Sequence, residues 1–150
     1  MNRIVVCENI RSAYNVGNII RSAECLGWDV VISGYSPHPD EKPKVAKTSL
    51  WAHENIDILD FRNTSKSLKY LRANSYTIVS AELTEDSKPL DKVYTDLRDK
   101  PKLAVILWNE KKGVLPETLS LSDEIVHIPM LWKKDSLNVW QASGIFMWAL

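Results

Sequence analysis

Short apolar runs along the chain alternate with longer segments in which apolar residues recur at helical spacing. The β-branched run at residues 4–7 predicts a strand. After a polar turn, Ile19, Ala23 and Leu26 follow one another at the spacing of one face of a helix. Gly27 stands directly after them, at the C′ position where helices commonly end. The first part of the chain is therefore predicted to be a strand, a loop and a helix.

The same pattern continues to the last residue. Strands are predicted at 30–33, 76–83, 102–107 and 124–129, helices at 65–74 and 136–150, and short helical or irregular pieces at 45–56 and near Pro116. This alternation predicts an α/β fold with a mainly parallel sheet and helices on both faces. In such folds ligands collect at the carboxyl ends of the strands. The loops expected there are 9–18, 108–115 and 129–138.

Composition adds limits rather than a function. The 150 residues are enough for one domain, and 45% hydrophobic with 25% charged residues is typical of a globular protein. Basic and acidic residues cancel at 19 each, so the total charge does not indicate a partner. The apolar run at the start is too short for a signal peptide or a membrane span. Cys7 and Cys25 lack a CxxC spacing and are predicted to be buried, reduced thiols of a cytoplasmic protein.

Common catalytic signatures are absent from the sequence. It contains no GxSxG, GxxxxGK, GxGxxG or HExxH, and His38, His53 and His127 lack metal-ligand spacing. Neither cysteine has a basic neighbour that would activate it as a nucleophile. These absences argue against a metal site and against covalent catalysis. The lack of a glycine-rich phosphate loop also weakens an assignment as a small nucleotide-binding domain.

Polar residues on the three strand-end loops are the remaining candidates for a site. Individually, each is explained as a helix cap or a turn residue. Their joint placement at the carboxyl edge of a parallel sheet favours a functional role. They are Asn15 and Arg21 around Gly17, Asn109 and Glu110 after a strand, and Ser136 and Asn138 before the last helix.

Three ordered segments resemble the motifs of the SPOUT superfamily, in its SpoU/TrmH branch of RNA 2′-O-ribose methyltransferases. They are "NVGNIIRSAECLG" (15–27), "VILWNEKKGV" (105–114) and "VHIPMLWKKDSLNVWQASGI" (126–145). A fourth segment, "KTSLWAHENI" (47–56), is similar to another recurrent stretch of that family. The resemblance covers almost the whole chain.

The resemblance implies a fold and a function. The fold is a SPOUT-like α/β domain with a C-terminal deep trefoil knot, spanning residues 1–150 without an appended RNA-binding domain. The function is S-adenosylmethionine-dependent methylation of a ribose 2′-hydroxyl in tRNA or rRNA. The implied partners are RNA and a second copy in a homodimer, in the cytoplasm, with no membrane and no metal.

Residue roles follow from the same resemblance. A guanidinium is a poor base, so the family's catalytic arginine, Arg21, is expected to make the ribose hydroxyl more acidic as an electrostatic clamp. The catalytic set is Arg21, Asn15, Glu110, Ser136 and Asn138. The cofactor set is Leu107, Trp108, Asn109, Gly113, Ile128, Met130 and Leu137. The expected RNA contacts are Arg11, Lys47, Lys111 and Lys112.

Four tryptophans depart from the family pattern in one direction. Trp51, Trp108 and Trp132 stand where the family has glycine, and Trp140 stands where it accepts small residues. The chain has five glycines, whereas average usage would give about ten. An indole at position 108 or 132 is expected to enter the space of the adenosine, and a glycine that needs φ > 0 would be strained by a side chain.

Two explanations of these tryptophans stay open. In one, the tryptophans are genuine, and the chain is a cofactor-blocked, non-catalytic RNA-binding or dimeric scaffold protein of the same fold. In the other, which we favour, the gene comes from an organism that reads the codon UGA as glycine, and the sequence was translated with UGA as tryptophan. Under this hypothesis Trp28 and Trp148, which stand where the family tolerates large residues, are genuine.

Overall fold

The computed structural model describes residues 2–133 and 136–150. Its strands are β1 (Arg3–Glu8), β2 (Asp29–Ser33), β3 (Ile58–Phe61), β4 (Thr77–Ala81), β5 (Lys88–Pro89), β6 (Leu103–Leu107) and β7 (Glu124–His127). Its helices are α1 (Ala13–Leu26), α2 (Pro43–Ser49), α3 (Thr64–Ala73), α4 (Leu90–Arg98), α5 (Pro116–Ser120) and α6 (Val139–Ala149). A single 3₁₀ turn covers Ala52–Glu54.

The strands form one seven-stranded sheet in the order β3-β2-β1-β6-β4-β7-β5. Each neighbouring pair is parallel. Successive side chains of a strand face opposite sides, so β1 contributes to two cores. Val5 and Cys7 pack with α1 and α6, whereas Ile4 and Val6 pack with α3. The predicted α/β fold with a parallel sheet and helices on both faces is confirmed.

Residues next to the two ends of α1 explain where this helix begins and ends. The Ser12 side chain accepts a hydrogen bond of 3.2 Å from the Asn15 amide and caps the first turn. At the other end Gly27 has φ of +72°, a left-handed conformation that glycine adopts without strain. The Trp28 amide then donates to the Ala23 carbonyl at 2.9 Å. The predicted helix end at Gly27 is confirmed.

Some local expectations were wrong. Strands β3 and β5 were not predicted, because β3 is only partly buried at one end of the sheet and β5 has two residues. Cys25 is exposed rather than buried, because it lies on the outer side of α1. Cys7 is buried as predicted, and burial together with the charge of Glu110 raises the pKa of its thiol to about 12.

The chain returns across the sheet after β7. That strand lies between β4 and β5, whereas α6 packs against α1 and β6 near the middle of the sheet. The segment between β7 and α6 must therefore pass the carboxyl ends of β4 and β6. Across residues 2–133 and 136–150, no helix has both the length and the apolar character needed to span a membrane.

Candidate active site

Two central strands of the sheet send their following loops in opposite directions. From β1 the chain proceeds to β2 on one side, and from β6 it proceeds to β7 on the other. A crevice at the carboxyl ends of such strands is the usual ligand position in α/β sheets. The loop after β6 begins at Trp108 and faces Asn9 after β1, so the predicted second motif lies at this crevice.

The Glu110 carboxylate fastens this loop to the beginning of α1. It accepts hydrogen bonds from the Arg11 amide at 2.9 Å, the Ser12 amide at 3.1 Å and the Asn15 side-chain amide at 2.9 Å. Burial alone would raise the pKa of Glu110, but these hydrogen bonds outweigh it and lower the pKa. Glu110 is therefore a carboxylate that pairs with the exposed amides of a helix start.

Asn109 organises both sides of the loop with one buried side chain. Its Nδ2 donates to the Asn9 carbonyl at 2.6 Å and to the Tyr35 hydroxyl at 2.8 Å. Its Oδ1 accepts from the Lys111 amide at 3.0 Å and from the Lys112 amide at 2.9 Å. A buried amide with partners on both atoms holds a single rotamer. Asn109 thus shapes the loop rather than offering a free group to a ligand.

Gly113 closes the same loop in a conformation that suits glycine. Its φ is +72°, and a Cβ at this position would collide with the Glu82 carboxylate. Glu82 in turn accepts a hydrogen bond of 2.9 Å from the Val114 amide. Glu82 was not predicted, because the strand was expected to continue to residue 83, whereas β4 ends at Ala81 and Glu82 directly follows it at the carboxyl edge.

Glu8 is a second buried carboxylate that the sequence did not single out. Burial raises its pKa, and the nearby charge of Glu117 acts in the same direction, against hydrogen bonds from Thr118 and the Leu115 amide that lower it. The Leu115 amide donates to Glu8 at 3.1 Å. The segment after β6 is consequently held by Glu8 at the end of β1 and by Glu82 after β4, while its own Glu110 holds it to the beginning of α1.

An apolar cavity of about 110 Å³ opens between this loop and the segment after β7. Its wall includes five residues of the predicted site, among them the half-buried Trp108. They are Trp108, Ile128, Met130, Ser136 and Leu137, with Glu82, Ala142 and Phe146 completing much of the wall. Leu107 is buried in β6 just beneath. The second and third motifs therefore meet around one cavity.

The cavity suits an adenosine in chemistry but not in size. Its wall combines apolar side chains with the Glu82 carboxylate, the mixture expected for a small-molecule pocket. Such pockets have volumes of about 300 Å³ or more, whereas this cavity has about 110 Å³. Trp108 is the largest side chain in the wall.

The other unusual tryptophans behave differently. Trp132 is 86% exposed and lies outside the cavity, so the expectation that its indole enters the adenosine space was wrong. Trp51 has φ of +67°, the left-handed region that a tryptophan rarely adopts. Trp140 is half-buried against the main core. Tryptophan at position 51 therefore conflicts with the backbone conformation, and tryptophan at position 108 conflicts with the space that the cofactor needs.

The predicted catalytic residues fall into separate places. Arg21 is exposed in a groove between α1 and α6 that Asn18 and Trp140 also line, and it lies outside the cavity of its own chain. The Asn138 side chain accepts from the Trp140 amide at 3.1 Å and caps α6. Within the catalytic set, Asn15 donates a hydrogen bond of 2.9 Å to Glu110.

The predicted RNA-binding residues are all exposed. The loop after β6 contains Lys111 and Lys112, and Arg11 lies next to it. Lys47 lies apart on α2. In the described ranges 2–133 and 136–150, no group of three or more His, Cys, Asp or Glu side chains could hold a metal ion. His127 is instead hydrogen-bonded to the Ser87 hydroxyl at 2.9 Å.

A parallel sheet with a cavity at its carboxyl edge, bounded by the loops after β6 and β7, is the arrangement in which α/β proteins commonly bind small molecules. The chain belongs to the SpoU rRNA Methylase family, whose model matches residues 2–148.

Individual relatives agree with this family. The chain is 29% identical over 145 residues to a tRNA (guanosine(18)-2′-O)-methyltransferase of Thermus thermophilus, covering 95% of this chain and 71% of that protein. It is 31% identical over 147 residues to an uncharacterized tRNA/rRNA methyltransferase of Borreliella burgdorferi, covering 98% of this chain and 62% of that protein. The crystal structure of an AdoMet-bound rRNA methyltransferase from Sinorhizobium meliloti superposes with a TM-score of 0.89 at 23% identity, covering 99% of this chain and 55% of that one.

Proposed function

We propose that this chain transfers a methyl group from S-adenosylmethionine to a ribose 2′-hydroxyl of tRNA or rRNA. The observation that carries the proposal is the cavity at the carboxyl edge, which the residues of the second and third motifs line together. The relatives in the same family are named as RNA methyltransferases. They do not favour the alternative of a non-catalytic scaffold.

The residues around the cavity divide the work of holding the cofactor, which supplies an activated methyl group. Ile128, Met130 and Leu137 would pack against the adenine, and the backbone of residues 107–113 would contact the ribose and the amino-acid portion. Trp108 must turn aside, or be glycine, for the whole molecule to enter. Ser136 lies in the cavity wall and would face the methyl group that is transferred.

Arg21 would act on the RNA rather than on the cofactor. Its guanidinium would bind an RNA phosphate and stabilise the negative charge that develops on the ribose oxygen, while a phosphate oxygen takes the proton. Asn15 and Glu110 are positioning residues in this scheme, because they fix the loop after β6 against α1. Asn138 begins α6 and so positions Ser136.

The position of Arg21 outside the cavity of its own chain supports a homodimer as part of the proposal. Ile145 and Trp148 are exposed on α6, in the helix that flanks the Arg21 groove. Two copies packed through α1 and α6 would bury these side chains and present Arg21 to the partner's cavity. We further propose that the segment after β7 threads the loop after β6 to form the trefoil knot, in a cytoplasmic enzyme.

The test is methyl transfer from labelled S-adenosylmethionine to purified tRNA and rRNA, by the chain as written and by its Trp108→Gly variant. A 2′-O-methyl group blocks alkaline cleavage of the adjacent phosphodiester, so the label should appear in alkali-resistant dinucleotides. Arg21→Ala should abolish transfer without lowering the unfolding midpoint. Lys69→Ala, which removes an exposed charge from α3 on the other face of the sheet, is the matched control.

Two results would reject the proposal. Label found only in alkali-sensitive nucleotides would mean that a base, not a ribose, is methylated. Equal activity of the Arg21→Ala and Lys69→Ala variants would remove Arg21 from the mechanism. Sedimentation of the same samples measures the dimer separately.

A further inference from the structure

The ring of Tyr35 is exposed, yet its position is fixed at both ends. Its side chain is 56% exposed in the turn after β2. The hydroxyl accepts a hydrogen bond of 2.8 Å from Asn109 Nδ2, and the backbone amide donates to Asn9 Oδ1 at 3.3 Å. Tyr35 is therefore attached directly to the residue that shapes the loop of the candidate active site.

The residues on either side of Tyr35 also anchor the turn. Gly34 has φ of +67° and donates its amide to the Phe61 carbonyl at 2.9 Å. Ser36 is buried, and its hydroxyl donates to the Cys7 carbonyl at 2.7 Å while accepting from the Ile10 amide at 2.8 Å. The backbone under the ring is consequently held on both sides, so the aromatic face is presented in one orientation.

The Tyr35 hydroxyl accepts the second N–H of Asn109 Nδ2, whose first N–H is donated to the Asn9 carbonyl. This hydrogen bond explains the hydroxyl but not the exposed aromatic face, because a ring that is half in solvent contributes little burial. Beside the ring is an open depression of about 590 Å³, lined by polar side chains that include Asn63 and Arg62. A flat apolar face next to polar groups is the environment that binds a nucleobase by stacking and edge contacts.

Positive charge lies on the other side of the same asparagine. Asn109 Oδ1 accepts from the amides of Lys111 and Lys112, whose side chains are exposed. One buried residue thus fixes an aromatic face and two lysines relative to each other. Stacking faces combined with cations that contact phosphates are characteristic of proteins that bind unpaired nucleic acid.

We propose that Tyr35 is a stacking platform for an unpaired base of the RNA substrate, next to the nucleotide that is methylated. The proposal rests on the proposed function for the presence of RNA at this edge. Tyr35 holds the neighbouring base out of its helix, and Lys111 and Lys112 neutralise the phosphates beside it. The platform contributes to RNA affinity and does not touch the cofactor cavity.

The test is the affinity of the full chain for a fluorescent tRNA transcript at several salt concentrations. Tyr35→Ala should weaken binding by roughly tenfold, as expected for the loss of one stacked base, whereas Tyr35→Phe, which keeps the aromatic face but loses the hydrogen bond to Asn109, should weaken it much less. The slope of log affinity against log salt should stay the same in both variants, because stacking releases no counterions. Lys111→Ala should instead make this slope less steep by about one.

Tyr94→Ala is the matched control, since Tyr94 is an exposed tyrosine on α4 at the opposite end of the sheet. It should leave the affinity unchanged. Equal RNA affinity of the Tyr35→Ala and Tyr94→Ala variants would overturn the stacking assignment while leaving the methyltransferase proposal standing. A changed oligomeric state of Tyr35→Ala in sedimentation would also overturn it, because the ring would then pack against protein. No RNA binding by the unchanged chain, in contrast, counts against the proposed function itself.

Discussion

The Glu110 carboxylate accepts a hydrogen bond of 2.9 Å from the side-chain amide of Asn15, a residue 95 positions earlier in the chain. The same carboxylate also receives the Arg11 and Ser12 amides at the beginning of α1. A single charged group therefore joins the first and second motifs. Removal of the Glu110 carboxylate should therefore make both motifs less rigid.

Glu110→Gln is expected to lower the free energy of unfolding at pH 7 by about 1 kcal/mol, through weaker hydrogen bonds at a helix start. The hydrogen bonds lower the pKa of Glu110 in the folded protein. Its contribution is thus present above the unfolded-state pKa of about 4.3 and is lost as the pH falls through the folded value. Urea unfolding at pH 7, 5 and 4 checks this. The loss of unfolding free energy in Glu110→Gln should be the same at pH 7 and pH 5 and smaller at pH 4. Glu85→Gln, on an exposed loop, should show neither the loss nor its pH dependence.

Glu8→Gln should show the opposite pH dependence. Burial raises the pKa of Glu8, so the wild-type stabilisation from this group is complete below about pH 4.3 and is lost as the pH rises through the folded value. The neutral variant escapes this loss, and the Thr118 hydroxyl can rotate to accept from the new amide. Stability relative to wild type should therefore increase between pH 4 and pH 7 in denaturant titrations. A difference that does not change with pH would show that the pKa of Glu8 is the same in the folded and the unfolded state.

Trp51→Gly is expected to raise the free energy of unfolding by about 1 kcal/mol. The residue has φ of +67° and is 56% exposed, so the substitution relieves backbone strain and loses little burial. Trp148→Gly provides the contrast, because Trp148 lies in α6 with helical dihedral angles and glycine there should cost roughly 1 kcal/mol. Chemical unfolding of the two variants should give changes of opposite sign. A loss of stability at position 51 would contradict the strain argument.

Trp108→Gly should open the cavity to S-adenosylmethionine, whereas Trp132→Gly alone should not. Trp108 forms part of the cavity wall and Trp132 is exposed outside it. Calorimetric titration should show affinity stronger by on the order of tenfold or more for Trp108→Gly, because the whole ligand can then be buried. Equal binding by both variants and the unchanged chain would show that the Trp108 side chain moves aside at little cost.

Codons at the tryptophan positions decide whether these residues are native. Recoding predicts UGA at positions 51, 108, 132 and 140, with UGG at position 148 and at position 28, where Trp28 is buried in the core. Peptide mass analysis of the protein from its source should then find glycine at position 108. A UGG codon there rules the recoding out and makes Trp108 a genuine occupant of the cavity wall.

Local pattern was sufficient for the elements whose burial is nearly complete. The fully buried strand β6 and the C-terminal end of α1 were predicted close to their observed bounds, because periodicity and a terminal glycine are properties of neighbouring residues. The beginning of α1 was not, since residues 13–18 were predicted to belong to a loop. The placement of Asn109, Glu110 and Gly113 at a strand end also followed from the sequence. Strand β3 was missed, because its partial burial at one end of the sheet leaves a weak pattern.

Contacts between distant segments decided everything else about the site. The clustering of Glu8, Glu82 and Glu110 around one loop depends on strands that are adjacent in the sheet but far apart along the chain. Tertiary packing also placed Trp108 in the cavity wall and Trp132 outside it, although both occupy equivalent positions in their motifs. Residue type and spacing identify the family, whereas the direction in which each side chain points is set by the strands and helices packed around it.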